Sequence, residues 1–331
     1  MPEPFRILNP GTEGEAVRDL QQRLAGLGFE TAPGEAGTYG DATVAAVRAF
    51  QTARGLRVDG ICGRQTWSSL VEAGYRPGDR LLYHRTPMLR GDDVVDLQEK
   101  LNALGFDAGR SDGIFGPLTA EALREFQRNV GAVIDGICGP ESIAALDRLS
   151  RFGGGSVASV REKEALRDGV LRLAGRRVYL AVEPGLDAIG EVVAKGLMEL
   201  GADVLTDGSG DDDSVVASEA NRYIADLFLG LRFGDVPGFS CDYFASHSSR
   251  SEGGCHVAKS ICEELAAALG SKPIEPNGRA YALLRETRMP AVVCQPVQAG
   301  DVEGVRQLAG RAGSAGRAIV QGVRRAVEDP L

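Results

Sequence analysis

Three histidines and six cysteines are the side chains of this 331-residue chain best suited to hold a transition metal. A protein zinc site gathers three or four such donors on one centre. His247 and His256 lie among Cys241, Cys255 and Cys262, so a Cys/His cluster is the arrangement to weigh first. The spacing matches no zinc pattern. Cys255 and Cys262 fall on one face of a predicted helix beside Val257 and Ile261, which is how buried residues repeat. His84 stands alone between two repeats and reads as a surface residue. The acidic run Asp207 to Asp213 lacks the ligand spacing of a calcium loop and reads as a solvated turn.

Two of the remaining three cysteines sit in identical pentapeptides, Asp59-Gly60-Ile61-Cys62-Gly63 and Asp135-Gly136-Ile137-Cys138-Gly139. Around them the chain repeats: Val17, Leu20, Gln21, Leu24, Gly28 and Phe29 return at a constant offset as Val94, Leu97, Gln98, Leu101, Gly105 and Phe106. From Phe50-Gln51 to Phe126-Gln127 the offset shrinks by one, so one loop has lost a residue. Each copy predicts three short helices. The first ends at a left-handed glycine, Gly28 or Gly105, with the next Phe folding back. The second starts at Asp41 as N-cap, or at Pro117, and stops at Gly55 or Gly131. The third follows the pentapeptide, with Pro140 at its first position and Trp67, Leu70 and Val71 on its apolar side. Asp59 and Asp135 suit side-chain to backbone bonding within their loops.

The segments "VRDLQQRLAGLGF", "YGDATVAAVRAFQTARGLRVDGICGRQT", "VVDLQEKLNALGF" and "DGIFGPLTAEALREFQRNVGAVIDGICGPES" resemble the peptidoglycan-binding module of bacterial cell-wall enzymes. The resemblance implies a peptidoglycan fragment or precursor as ligand. Tyr39-Gly40 and Phe115-Gly116 are then the candidate ligand-binding positions, where an aromatic face in a shallow groove would stack on a sugar or stem peptide.

A chain of this length fits two small modules and one domain of ordinary size. The net charge of −9 excludes a nucleic-acid partner, which needs a concentrated basic face. The N-terminal residues show no export signal and no later run is apolar enough to span a bilayer, so a cytoplasmic protein is expected. Cys62 and Cys138, in equivalent places of separate modules, read as buried apolar residues of a reducing compartment.

Residues 151–175 begin as a Gly/Ser hinge and continue as a charged connector. The expected division is therefore 1–76 and 77–150 for the modules, 151–175 for the connector and 176–331 for the last domain. There, apolar runs at 178–182, 202–206, 225–232, 241–246 and 291–297 alternate with helical periods, one ending near Gly201 and another over 257–269. That alternation predicts an α/β domain with a mostly parallel or mixed sheet flanked by helices.

Within it, "ANRYIADLFLGL", "CDYFAS", "VAKSICEELAAALG" and above all "YALLRETRMPAVV" resemble the zinc-dependent N-acetylmuramoyl-L-alanine amidases. Two peptidoglycan-binding modules before such a domain are similar to the cytoplasmic amidase-like proteins of mycobacteria and their relatives. The resemblance implies a zinc held by three protein ligands, a bound water and a separate carboxylate that moves the proton. Position by position, this chain departs from it. The first ligand's place after Glu183-Pro184-Gly185 is Leu186, which cannot bind zinc. The second is lost with a shortened loop, and Glu191 lies too far along its helix to replace it. The third is Arg232, a permanent cation. The carboxylate is Gln295, which moves no proton near neutral pH.

No intact catalytic residue, metal ligand or cofactor is therefore expected; zinc belongs to the family, and its donors are missing. Leu186, Arg232 and Gln295 read as vestigial positions, with Arg232 also a candidate to bind a stem-peptide carboxylate. Three functions compete. One is a muropeptide-binding protein that regulates precursor synthesis or turnover, with a cell-wall synthesis enzyme as candidate partner. The others are an amidase working with substitute residues and an adaptor without a glycan ligand.

Overall fold

The computed structural model describes residues 7–31, 36–150, 172–246 and 249–328. They form two compact units, one carrying the repeats and the other a β-sheet. The hinge and connector, up to residue 171, and His247 lie outside the described residues.

In the first unit each repeat contributes three helices: α1 (Glu15–Gly26), α2 (Asp41–Ala53) and α3 (Arg64–Ala73), then α4 (Asp92–Ala103), α5 (Pro117–Val130) and α6 (Pro140–Ser150). α1 and α4 close as their sequence demands. Gly28 and Gly105 take φ of 86° and 89°, and the Phe29 and Phe106 amides donate to the Leu24 and Leu101 carbonyls at 2.9 Å. That turn seats each Phe edge-on against the next helix, on Phe50 at 5.5 Å and Phe126 at 5.6 Å. α2 differs from expectation at its start. Gly40 is the N-cap and Asp41 the first helical residue, where its charge favours the positive end of the helix dipole. In α3, Leu70 is buried while Trp67 stays part-exposed under the Arg23 guanidinium, 5.6 Å from its ring centroid.

The Phe-Gln and Leu-Gln pairs explain themselves in the loops. The Gln51 carboxamide accepts from the Gly60 amide at 2.9 Å and donates to Asp59 Oδ1 at 2.8 Å and the Ile61 carbonyl at 3.0 Å. Gln127 repeats this with Gly136 at 2.9 Å, Asp135 at 2.8 Å and Ile137 at 3.1 Å. Gln21 and Gln98 grip the preceding loops the same way, each accepting from a glycine amide, Gly37 at 2.8 Å and Gly113 at 2.9 Å. A buried amide side chain thus satisfies loop backbone that has no secondary structure to pair with.

The two repeats are braced to one another by charge. Arg54 makes a two-pronged bond to Asp92, at 2.9 and 2.7 Å. Arg80, held within the second repeat by buried Asp93 at 2.8 and 3.0 Å and by the Arg90 carbonyl at 2.6 Å, crosses to the first through its guanidinium, 3.6 Å from the Tyr75 ring centroid.

The second unit is a three-layer α/β sandwich. Its strands are β1 (Arg177–Val182), β2 (Asp203–Asp207), β3 (Leu227–Leu231), β4 (Ser240–Phe244), β5 (Asn277–Arg279) and β6 (Ala291–Gln295). Its helices are α7 (Asp187–Glu199), α8 (Asp213–Tyr223), α9 (Glu252–Leu269), α10 (Ala282–Glu286), α11 (Val302–Gly310) and α12 (Ala312–Glu328). The strand order is β2-β1-β3-β6-β4-β5. Neighbours run parallel except β4 against β6, so the sheet is mixed. Period-two alternation gives each face its own core. Leu227, Leu229, Leu231, Cys241 and Cys294 face α7, α9 and α12, while Phe228, Phe244, Ala291 and Val293 face α8 and α10. α12 approaches α9 closely: a methyl at Gly322 would lie 2.6 Å from Ile261 Cα. Among the described residues no helix is long and apolar enough to cross a membrane.

Replacing Gln127 by Ala leaves the buried Gly136 amide without its acceptor and takes one donor each from the Ile137 carbonyl and Asp135. Because stranding buried polar groups is costly, urea unfolding should show a loss of about 2 kcal/mol, whereas Asn129→Ala, on the exposed side of α5, should change little.

Candidate functional site

The β1, β3 and β6 register pairs Val182 with Leu231 and Leu231 with Cys294, so Glu183, Arg232 and Gln295 leave the sheet side by side at one end. β4 runs the other way and begins there, with Ser240 opposite Gln295. Alternation then sends Asp242 and Gln295 to the α8–α10 face, the side that carries Phe244 and Val293.

On that face a polar cluster replaces what would otherwise be apolar core. Gln295 is buried, accepts from Ser240 Oγ at 2.7 Å and donates to Asp242 Oδ2 at 3.1 Å. Asp242 is 2% exposed and also accepts from Asn277 Nδ2 at 3.1 Å and the Tyr281 hydroxyl at 3.3 Å. Burial raises the Asp242 carboxyl above the ordinary aspartate value, opposed by the Asn277 bond, the Arg279 charge and the Tyr281 bond. Burial, then the Asp242 charge, holds the Tyr281 phenol well above its usual range, with Arg232 lowering it and Asp213 raising it. Arg232 and Asp213 therefore belong to the same electrostatic neighbourhood. They pair directly, Arg232 Nη1 lying 2.5 Å from Asp213 Oδ1, with Asp213 at the first position of α8 and nearly buried.

Leu186 does not join them. It is 3% exposed and packs in the core on the opposite face. Its loop is fastened by Glu183, whose amide donates to the Leu231 carbonyl and whose carboxylate accepts from the Phe233 amide, both at 2.9 Å. Glu191 is exposed on α7. Zinc does not fit this donor set, which offers an aliphatic chain, a guanidinium and a carboxamide where ligands and base would be needed. Among the described residues no three His, Cys, Asp or Glu side chains converge to hold a metal ion.

Of the cysteines near His256, Cys241 and Cys262 go to the core, while Cys255 packs half-buried against it. Cys241 and Cys294 face each other across β4 and β6 with sulfurs 3.7 Å apart, and Cys262 of α9 is buried with them. Hydrogen bonding to Cys262 and Cys294, with burial, holds the Cys241 thiol well above its ordinary value. Burial pushes Cys62 and Cys138 up to about 12 each, which makes them inert packing groups.

In the repeats the expected stacking surface is corrected. Tyr39 is 1% and Phe115 0% exposed, so neither ring offers a face to a sugar. Each fills its module core beneath the loop, and the Tyr39 hydroxyl donates to the Gly60 carbonyl at 2.8 Å. Gly40 and Gly116, partly exposed, are the N-caps of α2 and α5. The acidic run is also more than a solvated turn. Asp207 and Asp212 hold backbone amides at 2.8 and 3.0 Å, while Asp213 turns inward to Arg232.

Sequence points to neither Ser240 nor Asp242, and marks Tyr281 only as part of the family resemblance and Asp213 only as the end of an acidic run. Asp242 carries the one signal that could have found it, a carboxylate in the middle of the apolar strand Ser240–Phe244.

A putative peptidoglycan binding domain model matches residues 13–70 and 90–146. The chain belongs to the N-acetylmuramoyl-L-alanine amidase family. The relative that shows this is N-acetylmuramoyl-L-alanine amidase CwlM of Mycobacterium tuberculosis (strain ATCC 25618 / H37Rv), 36% identical over 340 residues, covering 88% of this chain and 83% of that protein. N-acetylmuramoyl-L-alanine amidase CwlL of Bacillus licheniformis is 36% identical over 164 residues, 43% of this chain and 46% of that protein. The crystal structure of the N-acetylmuramyl-L-alanine amidase Ami1 from Mycobacterium smegmatis aligns at a TM-score of 0.40 and 18% identity, over 47% of this chain and 98% of that one.

An acid at position 295 should destabilise the fold. In Gln295→Glu the new group faces Asp242 where a 3.1 Å hydrogen bond now lies, and two like charges raise one carboxyl in the folded state. A raised folded pKa costs stability above that pKa and none once the group is protonated in both states. Urea unfolding should therefore show a loss of about 1–3 kcal/mol at pH 7 that shrinks as pH falls toward 5.

Proposed function

We propose that this protein binds peptidoglycan fragments or precursors inside the cell and that its amidase-like domain regulates cell-wall precursor synthesis or turnover, through a partner protein, without cleaving the ligand. Two peptidoglycan-binding repeats and an amidase-like domain support the ligand class. The division into 1–76, 77–150, 151–175 and 176–331 assigns binding to the first two parts and regulation to the last.

The observation that carries the non-hydrolytic reading is the state of the strand ends. Amide hydrolysis by this family's chemistry needs a Lewis acid to sharpen water and a base to take its proton. Here Arg232 supplies a fixed positive charge already matched by Asp213, and Gln295 is locked between Ser240 and Asp242. Neither can bind a cation or move a proton at neutral pH. The remaining guanidinium edges of Arg232, which is 28% exposed, are the part of the old site able to meet a stem-peptide carboxylate. An intracellular setting is supported by Cys62 and Cys138, free and buried in separate cores, and by Cys241 and Cys294, free although they face each other.

Metal analysis of the purified chain, run beside digestion of muropeptides, tests the proposal. The expected result is sub-stoichiometric zinc and no release of L-alanine-linked peptide, with muropeptide binding retained. One zinc per chain coupled to turnover would overturn it. For Arg232 the measure is affinity: Arg232→Ala should weaken muropeptide binding about tenfold, and an unchanged constant removes that contact from the proposal.

A further inference from the structure

We infer that Tyr83 and Ile137, with Leu81 beside them, form a sugar-stacking platform on the second repeat, and that the first repeat has no counterpart. The inference rests on the reading that the repeats bind peptidoglycan, and names the glycan as the part seized here.

Leu82 and Cys138 exchange two backbone hydrogen bonds, at 3.2 and 2.7 Å, in a short antiparallel bridge. Both side chains point inward, 2% and 1% exposed. With both bridge residues turned inward, their neighbours Tyr83 and Ile137, across from each other in that register, turn outward. They are 39% and 36% exposed, and Leu81 is 53% exposed. Leu81 lies over Gly139, where a Cβ would come within 3.3 Å of its Cδ2, so no side chain rises from that position to break the strip. Tyr83 is the one aromatic among the strongly exposed large apolar side chains of the described residues.

A phenol ring beside an aliphatic chain suits a pyranose, whose C–H face is apolar and whose rim is hydroxylated, because the ring supplies a rigid flat surface and a polar edge together. A second copy of this chain suits it poorly, since a stable dimer buries about 800 Å² on each partner, far more than three side chains provide. The first repeat has the same bridge, Leu8 with Cys62, and the same outward isoleucine, Ile61 at 36%. Opposite it, however, stands Asn9, turned to its own loop by a 2.8 Å bond from Thr12. The aromatic element is thus present once, and it precedes the span 90–146 that matches the binding-domain model.

Calorimetric titration of the full chain with glycan strands stripped of their peptides, with free stem peptide and with intact muropeptide tests this. Tyr83→Ala should weaken glycan binding about tenfold at unchanged thermal stability, Tyr83→Phe should stay within about twofold, and Asn9→Ala should change nothing. Muropeptide binding that survives Tyr83→Ala intact, or that free stem peptide reproduces without glycan, would overturn the inference and leave the peptidoglycan reading standing. Self-association that Tyr83→Ala abolishes would give the face to a second copy and overturn it equally. A wild-type chain that binds neither glycan nor muropeptide would sink both.

Discussion

A carboxylate under an apolar sheet must be surrounded by donors or be expelled, and Asp242 is the constraint around which the end of this sheet is arranged. Gln295, Asn277 and Tyr281 all donate to it, and Ser240 fixes the carboxamide so that its nitrogen faces the acid. Once that network is closed, position 295 has an orientation and a hydrogen-bond polarity that a second acid contradicts. Within the same electrostatic neighbourhood, Arg232 and Asp213 settle their charges against each other. The strand ends of this amidase-family domain thus hold a self-satisfied polar cluster, and a cluster of that kind rigidifies where an open metal site would leave positions vacant.

The repeats solve a related problem with neutral groups. Their loops expose backbone that neither helix nor sheet can pair, and Gln21, Gln51, Gln98 and Gln127 each hold a glycine amide from beneath. The Leu-Gln and Phe-Gln pairs that mark the repeat in sequence are therefore structural in origin: the apolar member fills the core and the amide member holds the loop.

Much of this was legible in the chain. Duplication, helix ends at Gly28 and Gly105, the mixed α/β layer and the burial of Cys62 and Cys138 follow from periodicity and from glycine stereochemistry, which are local. The losses were pairings between distant segments. Tyr39 and Phe115 look alike whether they line a groove or plug a core, and only the helices packed over them decide. Tyr83 sits in a stretch without periodicity, and its meaning depends on Ile137 across a bridge. Asp213 is one of several acids in a run, distinguished only by the arrival of Arg232. The start of α9 was hidden because Gly253 and Gly254 weaken the helical signal that the Ser251 cap supplies.

The charge braces between the repeats carry a consequence for recognition. Arg54 with Asp92, and Arg80 over the Tyr75 ring, set the second repeat on the first before any ligand arrives. A loosely strung tandem surrenders orientational entropy when both halves engage one polymer, whereas a braced tandem has surrendered it during folding. A ligand long enough to reach both repeats would then meet a spacing fixed in advance, and its fit to that spacing would set the selectivity.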